Sequence, residues 1–148
     1  MVHHELAHIR RRHVKSSGTW SVEQEREADY EAADWILGPN PNLRDALFTK
    51  QMPGVSLALE ALVVRNIYGG REEGITHPYS WDRIFNTLSR YIPDGGHPVY
   101  AFIIFTMKLH LDNAAVTTPQ RVFTDFYECF NTYVEVLSRR DARSPGHA

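Results

Sequence analysis

Apolar residues recur along this chain at helical spacing, and polar or glycine–proline punctuation divides them into a series of segments. The first covers 2–15, with Leu6, Ile9 and His13 along one side, and Ser16-Ser17-Gly18-Thr19 ends it. The second opens at Ser21, where Gln24 three residues on completes a capping-box pattern. It runs through Glu23, Glu25, Glu27, Asp29, Glu31 and Asp34 to Leu37 and stops at Gly38-Pro39-Asn40-Pro41-Asn42. Its alanines at 28, 32 and 33 would let another helix approach closely. A short helix is predicted over 43–48. Pro53-Gly54 then breaks the chain before an apolar helix over 55–68, closed by Gly69-Gly70, and 71–76 reads as a loop. Ser80 caps a helix over 81–91 with Ile84, Leu88 and Tyr91 on one face. After the turn Pro93-Asp94-Gly95-Gly96, Pro98 takes the first position of a helix over 99–111. Thr118-Pro119 starts the last helix, which reaches Leu137 with Phe123, Phe126, Phe130, Tyr133 and Leu137 as its buried stripe. Nothing signals a strand or an internal repeat. The predicted fold class is mainly α, one domain over 1–140 with a frayed polar tail at 141–148.

Composition narrows the class. A chain of 148 residues, 43% hydrophobic and 23% charged, is long enough to bury a core and has the make-up of a soluble globular protein. A net charge of -2 argues against a general nucleic-acid binder. The single cysteine, Cys129, excludes an internal disulfide and a cysteine-rich zinc site, and suits a reducing, cytoplasmic setting. Residues 1–8 are too polar for a leader peptide, and the most apolar run, 99–107, is too short to cross a bilayer, so no membrane partner is expected. Nothing in the chain specifies an oligomeric state.

The candidate chemistry lies in His4-Glu5-Leu6-Ala7-His8, an HExxH motif. Residues four apart share a helix face, so the imidazoles of His4 and His8 can reach one metal ion. Glu5, one position on, can take a proton from a metal-bound water. Zinc suits this best, since it accepts nitrogen and oxygen ligands tetrahedrally and keeps a position open. A solvated face carrying two histidines ahead of Arg10-Arg11-Arg12 is the plain alternative. A catalytic zinc needs a third protein ligand. HExxHxxGxxH would require Gly at 11 and His at 14, where Arg11 and Val14 stand, and His13 misses that frame by one. His13 therefore reads as a partly solvated helix histidine. An acidic ligand on the second helix remains, in Glu25-Arg26-Glu27-Ala28-Asp29.

Glu25-x-x-Ala28-Asp29, followed by Tyr30-Glu31-Ala32-Ala33, resembles the ExxA(D/N) helix of the glutamate-ligand zinc peptidases, the gluzincins. It is similar to the HtpX and CAAX-prenyl-protease type and to the ImmA/IrrE type. The resemblance implies that Glu25 is the third zinc ligand and that Asp29 orients a metal-binding histidine. Further on, His77-Pro78-Tyr79-Ser80-Trp81-Asp82-Arg83-Ile84 resembles the HPxxxxRI segment of HtpX-type and phage-exclusion Lit-type proteases. It implies that His77 stabilises the oxyanion and that Arg83 buttresses the segment or contacts substrate. Glu27 is the open alternative to Glu25 as third ligand: two positions apart they point about 200° apart, so only one can face the metal, and Glu25 carries Ala28 and Asp29 on its own face.

The resemblance covers roughly residues 3–90. Spanning helices of the membrane members are not expected here, and the strand that would pack behind the HExxH helix lies outside this sequence, so an N-terminally truncated chain is expected. The expected function is a zinc-dependent endopeptidase acting on a protein or peptide. Its first rival is a metal-bound, inactive regulatory or phage-response module; the second is a helical interaction domain with a chance HExxH.

Overall fold

A computed structural model describes residues 2–16, 18–38, 41–69 and 79–141. Six helices account for most of them: α1 (Val2–Arg10), α2 (Val22–Leu37), α3 (Ala46–Gly69), α4 (Ser80–Tyr91), α5 (Pro98–Asn113) and α6 (Phe126–Asp141). Among the described residues extended pairing is limited to an isolated bridge between Ser16 and Thr19. The fold is mainly α.

Helices α3 to α6 enclose the core. Phe48, Met52, Val63 and Ile67 of α3 meet Ile84 and Leu88 of α4, Tyr100, Ile103, Met107 and Leu111 of α5, and Phe130 and Leu137 of α6. Helix α2 packs on α3 and α4, and α1 packs on α2. Helix α2 also adds Ala33 and Leu37 to this core, and α1 lies outside it on α2.

Local chemistry explains where elements begin and end. Ser21 caps α2 as its sequence predicts: Gln24 N–H donates to Ser21 Oγ (3.1 Å) and Ser21 N–H to Gln24 Oε1 (2.9 Å). Pro53 and Gly54 do not break α3, which runs unbroken from Ala46 behind an Asp45 side chain that accepts from Leu47 N–H (2.8 Å). An interior proline costs about 3 kcal/mol, and burial of Phe48, Met52 and Val55 on both sides of it opposes that cost. The unbroken helix also alters the membrane expectation, because Ala46–Arg65 is long and apolar enough to cross a bilayer by length and composition. In the fold this stretch contributes Phe48, Met52, Val55 and Val63 to the core. Ser80 is not the cap of α4 but its first residue, fully buried, with Tyr79 at the cap position. Helix α6 starts at Phe126 rather than near Thr118. Asp125 accepts from Glu128 N–H (2.7 Å), and Thr124 donates N–H and Oγ–H to Glu128 (2.7 Å each), a stronger start than Thr118-Pro119 offers. Of the predicted stripe, Phe130, Tyr133 and Leu137 are buried, whereas Phe126 is largely exposed. The loop 71–76 and the tail beyond 141 lie outside the described residues.

The first helix departs most from its predicted form. It ends at Arg10, not near residue 15, in a Schellman turn: Arg12 N–H bonds Ile9 O (3.1 Å) and His13 N–H bonds His8 O (3.0 Å). Arg12 occupies the left-handed position at φ 54° that glycine usually takes. The face is inverted too. Leu6 and Ile9 are exposed, and Ala7 and His8 are buried.

One buried group of the bundle predicts a pH effect. Glu60 is buried between α3 and α5, its Oε2 accepting from Thr106 Oγ (2.6 Å) and its Oε1 without a hydrogen-bond partner among the described residues. Burial outweighs the Thr106 bond and pushes the carboxyl from 4.5 up to about 7. Because the folded value lies above the unfolded one, the penalty is absent below about pH 4.5. It grows as pH rises towards 7 and is constant above it. Glu60→Gln is expected to raise stability by about 1–2 kcal/mol at pH 8, allowing for solvent screening, and hardly at all at pH 4.5. Thermal melts of both proteins at the two pH values check this; an equal shift at both would rule out ionisation as the cause.

Candidate metal centre

The α1–α2 pair brings the motif residues together. His4 Nε2 and His8 Nε2 lie 3.2 Å apart, Glu25 Oε2 is 3.3 Å from His4 Nε2, and Glu25 Oε1 is 3.8 Å from His8 Nε2. The donor atoms of His4, His8 and Glu25 all lie within 4.8 Å of one another. A tetrahedral ion with bonds near 2.0–2.1 Å separates its ligand atoms by roughly 3.3 Å, so two imidazoles and one carboxylate at these spacings fit zinc. His8 and Glu25 are buried, at 2% and 3% exposure.

The remaining ring nitrogens are also engaged. His4 Nδ1 meets Asp29 Oδ1 at 2.9 Å. A carboxylate only accepts, so His4 carries its proton on Nδ1 there and directs Nε2 to the centre. Arg83, from α4, clamps Asp29 with Nε to Oδ2 and Nη2 to Oδ1, both 2.6 Å, and its Nη2 lies 3.8 Å from Glu25. Burial works against charge at Asp29, but the bonds from His4 and Arg83 prevail and hold its carboxyl below the usual range. Burial also lowers the basicity of His4; bonds to Asp29 and Glu25 overturn that and push it up to about 9. A proton and a metal ion therefore compete for His4. His8 stays below the ordinary histidine value, through burial and the neighbouring His4.

His13 is not the solvated helix histidine that its spacing suggests. Its side chain is 6% exposed. The left-handed Arg12 carries it back against His8, where Nδ1 meets His8 Nδ1 at 2.8 Å and Nε2 meets Glu27 Oε2 at 2.9 Å. Glu27 thus faces His13, and Glu25 faces the histidine pair. Trp20 stacks on the His8 ring at 4.2 Å between centroids, with 12° between planes. Sequence reasoning missed both His13 and Trp20. The usual marker of such a turn, a glycine after the helix, is missing, and nothing near Trp20 marks its ring as a wall.

A cleft of about 320 Å³ opens beside these groups, lined by His4, Glu5, Trp20, Glu25, Leu62, Arg65 and Arg83 among others. Glu5 is exposed on α1 and reaches that cleft. His77 and Pro78 lie outside the described residues; of the HPxxxxRI segment, Arg83 is the part seen at the centre.

Comparison with known proteins agrees in kind. A family model described as Peptidase U49 matches residues 1–103, a span that takes in α1 to α4 and the start of α5. The chain is 32% identical over 116 residues to the "Cell death peptidase" of Escherichia coli (strain K12). That alignment covers 75% of this chain and 37% of the relative, so the chain spans well under half of that protein's length. No solved structure matches.

Proposed function

Because the chain belongs to the Peptidase U49 family, we propose that it carries the catalytic centre of a zinc-dependent endopeptidase, with His4, His8 and Glu25 as the metal ligands. One observation carries this: two imidazole Nε2 atoms and a buried carboxylate converge at 3.2–3.8 Å, with the Nδ1 of both histidines occupied by other partners. Zinc bound there would polarise a water and the scissile carbonyl. Glu5, which lines the cleft, would take the proton from the attacking water and pass it to the leaving amine. Asp29, locked by Arg83, keeps His4 in the ligating tautomer. For His77 the HPxxxxRI resemblance supports oxyanion stabilisation. Glu5 at the cleft favours a peptidase over a metal-bound module without turnover, which has no need of a base.

The test uses the purified protein. It is expected to hold about one zinc per chain, to cut a peptide or protein substrate, to lose that activity to a chelator and to regain it on adding zinc. Zinc without cleavage would support the inactive module. Absence of zinc would remove the metal centre altogether.

A further inference from the structure

We propose that His13 is a positioning residue for this centre: it accepts the Nδ1 proton of His8 and, backed by Glu27, fixes His8 with Nε2 towards the metal. This rests on the zinc assignment above. Glu27 only accepts, so at 2.9 Å His13 Nε2 carries the proton that it donates. Neutral His13 then has a lone pair on Nδ1, and the 2.8 Å contact makes His8 Nδ1–H the donor. That leaves the lone pair of His8 on Nε2, 3.2 Å from His4 Nε2. The two histidines are therefore supported by different means: His4 directly by Asp29, and His8 through a second imidazole.

The local fold is built for this contact. The Schellman turn ties His13 N–H to His8 O at 3.0 Å, so one residue holds the backbone and ring of the other. Trp20 stacks on the face of the His8 ring and meets His13 edge-on, at 6.2 Å between centroids, which leaves the His8 ring little freedom to rotate. At the outer end Glu27 is 40% exposed and lies 3.7 Å from Arg11, so water can reach its carboxylate.

Outer partners of ligating histidines typically contribute 10–100-fold to metal affinity. His13→Leu in the full-length protein is expected to weaken zinc binding by about that factor in competition with a chelating dye. His13→Asn, whose Oδ1 can accept from His8 where Nδ1 did, should restore most of the affinity. Nitrogen-15 NMR of the imidazoles supplies a readout that mere packing would not move: His8 as the Nδ1–H tautomer in wild type and His13→Asn, and a tautomer mixture in His13→Leu. Wild-type affinity in His13→Leu, or equal losses in the Leu and Asn variants with unchanged tautomers, would overturn the role of His13 and leave the zinc ligands standing. Failure of wild type to bind zinc would overturn both.

Discussion

Glu25→Ala is expected to abolish stable zinc binding, while Glu27→Ala leaves it nearly intact. Both residues are acidic, both lie on α2, and they are two positions apart. Only Glu25 has its carboxylate within 3.3–3.8 Å of both imidazole Nε2 atoms, and it is buried there. Two histidines alone do not complete a catalytic zinc site, so the loss should be of binding itself rather than a modest weakening. The fold should survive, because Arg83 keeps its bidentate bond to Asp29 in the variant. Zinc content after dialysis, measured beside circular dichroism, gives the answer. Full zinc in Glu25→Ala together with loss in Glu27→Ala would move the ligand to Glu27 and require the His13 contact to open.

Glu5→Gln should hold zinc as wild type does and lose hydrolysis by about 10²- to 10⁴-fold, the usual contribution of a general base. Glutamine keeps the size of the side chain and its hydrogen bonds but cannot accept the proton. The residue is exposed and lies at the cleft rather than among the three converging donors, so neither fold nor metal should depend on its charge. Turnover of the full-length variant equal to wild type would remove Glu5 from the base role and leave the ligand set untouched.

Periodicity and capping made the helices legible, because Ser21 with Gln24 and Pro98 at a helix start act through bonds within a few residues. Pro53 misled because its penalty is local and the compensating burial of Met52 and Phe48 involves distant helices. The donors His4, His8 and Glu25 could be named because helix periodicity and a motif resemblance both pointed to them, and the fold sets them face to face. His13 was misread for a different reason. Its position depends on a left-handed arginine, and no rule of spacing predicts that an arginine will stand where glycine is favoured. Leu6 and Ile9 were misplaced with it, since the apolar side of α1 is not the side that is buried.

The bonds around the centre differ in how much chain they enclose, and this bears on the order in which the protein can assemble. His4 and Asp29 are 25 residues apart; Asp29 and Arg83 are 54 apart. Roughly doubling a loop adds about 0.6 kcal/mol to the entropy of closing it, and contacts that are near in sequence form faster. The metal donors therefore belong to a pair of helices whose closure costs less chain entropy than the docking of α4, which carries the guanidinium that locks Asp29. Assembly of the ligand set is local, and its rigidity comes from the longer-range contact.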